Sequence, residues 1–235
     1  MGIIEWAHRR DSWVQRRVFA ALKAGSTVNV PKIPLLHPFL LGERRFRKGP
    51  LRLLASKLYH EPLLKLQCQM VGSGLLLYED MPKILGNLQI RLGERVALSG
   101  AQVWIGAGSG APKQLTIGDD SYVGNRTEFI VGESIWIGRH VRIANRVSLN
   151  GYDGHPLDPF ARARNEPVGA ASMGPIAVLD YAWIGNDATI LKGVTVGRGA
   201  VVASCSVVTS DVPELAIVAG NPARVIRQLP PPENW

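Results

Sequence analysis

Cysteine is nearly absent from these 235 residues. Cys68 and Cys205 are the two present, and they form neither a CxxC metal spacing nor a disulfide framework. A reducing compartment without disulfides is the expectation. Aromatic residues are scarce as well, at 7%, which argues against a core packed on large rings. Apolar runs such as 18–22 fall far short of the ~18 residues of a membrane span or the ~7–15 of a signal-peptide core. The expected location is therefore the cytoplasm, with the inner face of the cell membrane as the variant considered below. Against these absences stand 46% hydrophobic and 20% charged residues, the make-up of a soluble globular chain, which excludes collagen and disorder. Twenty-five glycines suit a chain that turns often and tightly, hence a turn-rich β architecture.

Acidic residues are missing mainly from the front. Residues 1–66 hold thirteen Lys and Arg against four Asp and Glu, whereas residues 67–235 hold fourteen against fifteen, so all of the net +8 lies in the first segment. That segment has neither a nucleic-acid reader motif nor aromatics spaced for base stacking, and no nucleic-acid partner is expected.

What the sequence does contain is an internal repeat. Val178, Ile184, Ile190, Val196, Val202 and Val208 fall six residues apart, and small residues (Ala182, Ala188, Ala200, Ser206) recur at the fifth place. The same step links Ile117, Val123 and Phe129, then Ile137, Ile143 and Leu149, and more weakly Leu92 and Leu98. Neither a period of 3.6 nor a period of two yields this pattern. A three-sided coil does: each unit is a short strand plus a bend, the aliphatic residue points inward, and stacked coils bury a ladder that no single coil could bury alone. About fifteen units over 84–213 predict roughly five coils, stacked to roughly 24 Å at ~4.8 Å per strand.

Three regions follow. Residues 1–80 are read as a basic, partly helical cap or arm. Ser12 caps a helix over 13–23 with Val14, Val18, Ala21 and Leu22 on one face, Pro31, Pro34 and Pro38 mark an extended linker, and a second helix starts at Pro50 and carries Leu51, Leu54 and Leu58. Residues 81–228 are the solenoid, interrupted at 106–114 and by an excursion loop at 151–174. Residues 229–235 are a tail. Loops thrown from a rigid scaffold are where function usually resides.

The ordered segments Gly154-His155-Pro156-Leu157-Asp158-Pro159, Trp183-Ile184-Gly185, Gly193-Val194-Thr195-Val196-Gly197, Asp211-Val212-Pro213 and Gly220-Asn221-Pro222-Ala223-Arg224 carry a resemblance over about residues 90–228. They are similar to the hexapeptide-repeat acyltransferases, and to the maltose and galactoside O-acetyltransferase branch in particular. The resemblance implies a left-handed parallel β-helix, acetyl-CoA as co-substrate, no metal, and His155 as general base for a hydroxyl acceptor. It further implies Asn125 and Glu133 as acceptor-binding residues, with Asp153 and Asp158 as rivals for orienting the imidazole. Trp183, Asn186, Ala203, Ser204, Cys205 and Thr209 match positions along the pantetheine arm. Arg224 and Arg227 match positions near the adenosine phosphates, where a guanidinium fork is well suited. Three residues depart from the family: Cys205 stands in place of a usual Gly on the thioester path, Ser210 in place of a Lys, and Leu179 in place of a corner Gly.

The resemblance also implies a homotrimer with inter-subunit active sites and a carbohydrate or glycolipid acceptor, such as a bacterial polysaccharide or its precursor. N-acetylation of an amino sugar, acetylation of an antibiotic and a non-catalytic scaffold are the alternatives. The basic residues of 1–66, among them Arg9, Arg10, Arg16, Arg17, Arg44, Arg45, Arg47 and Lys48, give a second expectation of peripheral contact with an anionic membrane, compatible with a capping role.

Overall fold

A computed structural model describes residues 9, 11–29, 31–108 and 111–233. Arg10 lies outside them. The chain divides into two units, 1–48 and 49–235.

The second unit is a parallel β-helix whose three sheets are visited in turn. The first face stacks Met70–Val71, Leu88–Leu92, Lys113–Ile117, Ser134–Ile137, Ile176–Val178 and Thr195–Val196. The second stacks Leu76–Leu77, Ala97–Leu98, Tyr122–Val123, Arg142–Ile143, Trp183–Ile184 and Val201–Val202, followed by Ala216–Gly220 and the antiparallel Ala223–Gln228. The third stacks Lys83–Leu85, Val103–Gly106, Glu128–Val131, Ser148–Asn150, Thr189–Leu191 and Val207–Val208. The six-residue step is thus one face and one corner, and the aliphatics predicted to point inward are buried throughout. Each contributes ~1.5–3 kcal/mol of gross burial.

The five expected coils are present, and a sixth precedes them. Val71 and Leu77 keep the step of six but the next inward residue is Ile84, seven on. Residues 70–80 therefore belong to the solenoid and not to the cap. Trp104 falls on the inward position of its third-face strand and is fully buried, with its indole N–H donating to Gln102 Oε1 at 3.0 Å and its ring edge-on to Phe129. Trp136 and Trp183, in the same Trp-Ile-Gly context, point outward.

Helical turns cover the first coil. Residues Pro50–Ala55, Ser56–His60 and Glu61–Gln67 run as one irregular helix. Ser56 Oγ donates to Leu77 O at 2.7 Å, Lys57 Nζ donates to Leu75 O at 2.6 Å, and Leu64 is buried in the core. The packing face is Ser56 and Leu64, because the irregular turn at 56–60 rotates the face. Leu51, Leu54 and Leu58, which this helix carries, are exposed.

In the first unit, Trp13–Ser26 is a helix begun by a capping box, with Ser12 Oγ accepting from Gln15 N and Gln15 Oε1 from Ser12 N. The segment expected to be an extended linker instead becomes helical at Leu36–Lys48, where Pro38 stands in the first turn and loses no intrahelical bond. That helix has no buried residue and ends in Arg45, Arg47 and Lys48.

Candidate functional site

The three corners of the prism are built differently. Between the second and third faces, Asn145 Oδ1 accepts from Asn125 N at 2.9 Å and Asn186 Oδ1 accepts from Asn145 N at 2.9 Å, a ladder that ties three coils. The next residue of each coil, Arg126, Arg146, Asp187 and Cys205, has positive φ, as the sharp bend requires. Arg146 donates twice to Asp187, at 2.6 and 2.7 Å, and these bonds hold the Asp187 carboxyl below its ordinary pKa. Between the first and second faces the same device recurs with Asp119 and Asp180, whose carboxylates accept from Glu94 N and Arg139 N.

Among the described residues the corner between the third and first faces is stitched in this way only at its last turn, where Asp211 Oδ1 accepts from Thr195 N at 2.7 Å. Both interruptions leave from this corner, 107–112 between the second and third coils and 151–174 between the fourth and fifth. Between them the turn is only Gly132-Glu133. The base of the long loop is closed tightly: Gly151 N donates to Ile130 O at 2.8 Å, Gly174 N to Gly151 O at 3.1 Å and Asp153 N to Ser172 O at 3.0 Å. Lys192 Nζ forms a short ion pair with Asp153 Oδ2 and also donates to Ala171 O at 3.3 Å, so that one ammonium clamps both limbs. Gly132 fits beneath, and a Cβ there would run into the Gly151 carbonyl oxygen. The two loops meet where Met173 Cε approaches Gly108 and Lys113 Nζ points at Met173 Sδ.

His155 is exposed on this clamped base, next to a groove of about 410 Å³ lined by Ile130, Asn150, Leu191, Tyr152, Asp153 and Gly154. Ile130, Asn150 and Leu191 are in register on the third face. No hydrogen bond or ion pair engages the imidazole among the described residues, so both ring nitrogens are free to meet an acceptor. Asp153 is taken by Lys192. Asp158 caps the short helix Pro159–Ala163 by accepting from Ala161 N at 2.6 Å. Neither carboxylate touches the imidazole.

Glu133 shares the loop's corner and is exposed. Asn125 does not. It stands at the stitched corner, its Oδ1 buried against Gly100 without a hydrogen-bond partner, so one chain does not pair it with Glu133. Of the residues matched to the donor, Asn186, Ala203, Ser204 and Cys205 lie at that stitched corner in the fifth and sixth coils. Trp183, 55% exposed, is on the second face beside them, and Thr209 is exposed just past the last third-face strand. Arg224 and Arg227 are exposed on the antiparallel strand. Within one chain the residues matched to the donor, Thr209 excepted, and the His155 loop lie away from one another: the stitched corner and the loop's corner are a whole face apart. Lys192 and Gly132 were not anticipated. The Asn ladder was legible as Gly124-Asn125, Ala144-Asn145 and Gly185-Asn186. Among the described residues no three His, Cys, Asp or Glu side chains cluster as a metal site.

Comparison with known proteins agrees with the solenoid fold. The family model of the bacterial transferase hexapeptide (six repeats) matches residues 178–210. Galactoside O-acetyltransferase of Escherichia coli is 29% identical over 187 residues, covering 76% of this chain and 88% of that one. A putative acetyltransferase of Saccharomyces cerevisiae is 36% identical over 115 residues, and the chain spans 56% of that relative's length. A hexapeptide-repeat acetyltransferase of Vibrio cholerae, solved in complex with acetyl-CoA, superposes with a TM-score of 0.50 at 27% identity, over 81% of this chain and 90% of that one. By this repeat, by the histidine loop thrown from one corner and by these relatives, the chain is similar to the hexapeptide-repeat acetyltransferases, galactoside O-acetyltransferase among them.

Proposed function

We propose that the chain transfers the acetyl group of acetyl-CoA to a hydroxyl of a sugar, with His155 as general base. The acceptor oxygen attacks the thioester carbonyl while an imidazole nitrogen of His155 takes its proton. The tetrahedral adduct then expels the CoA thiolate, and the imidazolium returns the proton to sulfur, leaving an acetyl ester, CoA and neutral His155. No covalent enzyme intermediate is needed. The observation that carries the reading is the placement of His155: unpartnered, exposed, and set beside a groove by a loop whose base Lys192 clamps.

The separation of the two corners motivates the second half of the proposal. His155 of one chain serves acetyl-CoA bound along the second and third faces of a neighbour, which makes the homotrimer the active unit. Arg224 and Arg227 sit where they would receive the nucleotide phosphates.

The test is acetyl transfer from acetyl-CoA to a panel of neutral sugars, amino sugars and aminoglycosides, read as an acetyl mass increment on the acceptor. A product whose acetyl group is released by mild alkali is an ester and supports the proposal. An alkali-stable amide overturns the choice of oxygen over nitrogen. Transfer that persists in His155→Ala overturns the general base, and a monomer by light scattering overturns the shared site.

A further inference from the structure

A second groove, polar in its lining, lies on the first face. Its outward positions in the second and third coils form a polar array, Gln89 in register with Gln114 and Arg91 with Thr116. Gln69, at the edge of the first coil, accepts from Arg91 Nε at 3.4 Å, and the five side chains line a groove of about 260 Å³. One coil further, Trp136 is in register with Thr116 and is 41% exposed. The core does not explain this array, since the inward partners Ile90, Leu115 and Ile135 already fill the interior.

The chemistry of the array selects its ligand. Three primary amides, spaced along the sheet at ~4.8 Å per coil, each present donors and an acceptor, as vicinal hydroxyls require. An exposed indole beside them offers an electron-rich face to the C–H side of a sugar ring. One arginine is too little cationic charge for a nucleic-acid backbone. The position matters too. Lys113–Ile117 and Ser134–Ile137 open directly after the turns of the corner from which the His155 loop leaves. A chain lying along that edge would cover ~10–15 Å between the fourth coil and this array.

We propose that the array of Gln69, Gln89, Arg91, Gln114, Thr116 and Trp136 is a subsite for the non-reacting sugar units of an oligosaccharide or polysaccharide acceptor. The proposal rests on the sugar acetyltransferase reading above, and its test separates the two. The probe is the full-length protein on immobilised oligosaccharides of hexoses, hexosamines and uronic acids, in short and long forms. The expected result is retention on one of these classes that grows with chain length. It falls about tenfold, or about 1.4 kcal/mol, in Trp136→Ala and in the Gln89→Ala/Gln114→Ala double variant, and survives in His155→Ala. With a retained glycan as acceptor, the ratio of kcat/KM for long over short chains falls toward one in the same variants.

Retention by none of the three classes overturns the subsite. So does a loss no greater than that of Thr195→Ala, on the same face three coils beyond the groove. A change of oligomeric state in Trp136→Ala also overturns it, because the face would then be a contact between copies. Acetyl transfer that proceeds but ignores chain length and these variants removes the subsite alone. Glycan retention without transfer to any sugar removes the enzymatic reading and leaves the subsite standing.

Discussion

The corner between the second and third faces and the corner between the third and first are made by the same repeat, yet side chains stitch the first while insertions open the second. At the stitched corner Asn145 and Asn186 each accept from the preceding coil's backbone N–H, and Arg146 and Asp187 bridge the bends. At the open corner the polar ladder is replaced by Gly132, Gly151 and Gly174, whose lack of side chains lets three backbones approach and lets the chain leave and return. A solenoid supplies rigidity on every coil. Function needs one edge where that rigidity ends abruptly, so that a loop starts from a fixed point.

The largest expected effect tests what the open corner carries. His155→Ala should lower kcat by ~10²–10⁴, the usual contribution of a general base. It should leave the rise in melting temperature with acetyl-CoA unchanged, since most of the residues matched to the donor sit at the other corner. A variant that retains full turnover would leave the loop without its chemical role.

Gly132→Ala comes next, and it asks whether the geometry of the base matters apart from the histidine itself. The new methyl group must displace the Gly151 carbonyl, which accepts from Gly174 N at 3.1 Å, so the loop's point of departure moves. A displacement of ~1 Å in a catalytic group can cost ~10²-fold. The expected outcome is at least a tenfold fall in kcat/KM with the protein still folded by circular dichroism. Equal activity would mean that the loop sets its own geometry.

The stitched corner should respond in stability instead. Asn145→Ala removes the acceptor of Asn125 N and should cost about 1 kcal/mol, since the bond lies toward solvent. For a unit of this size that is a fall in melting temperature of about 2–4 °C, with kcat unchanged. A loss of activity without a loss of stability would reverse the roles assigned to the two corners.

How legible these corners are in the sequence follows from what each is made of. Inward aliphatics repeat because every coil buries the same position, so the faces from Leu88 onward are visible in the sequence as a period of six. The first coil is hidden because seven residues separate Leu77 from Ile84 and because its covering helix precedes it without a break in hydrophobicity. His155 is marked by its Gly-Pro-rich loop, but its neighbours are not. Lys192 is an ordinary lysine in sequence, and its clamp on Asp153 depends on two segments 39 residues apart meeting at one corner. Asp158 shows the opposite case: its place before Pro159 is the sequence mark of a helix cap, and the structure uses it as one.

The smallest expected effect sharpens the comparison at a single residue. Cys205 occupies the last bend of the stitched corner with φ of 61°, where a side chain is strained and glycine is at ease. Arg146 and Asp187 below it occupy equivalent bends, but they recover part of that strain through paired side-chain hydrogen bonds, which Cys205 lacks. Cys205→Gly should therefore raise stability by a few tenths of a kcal/mol up to about 1 kcal/mol, the relief of strain outweighing the extra freedom of the unfolded chain. Cys205→Ala, which keeps the Cβ, should give no gain. If the two variants melt together, the bend is not strained, and the stitching below it rather than the residue at φ of 61° sets the stability of this edge.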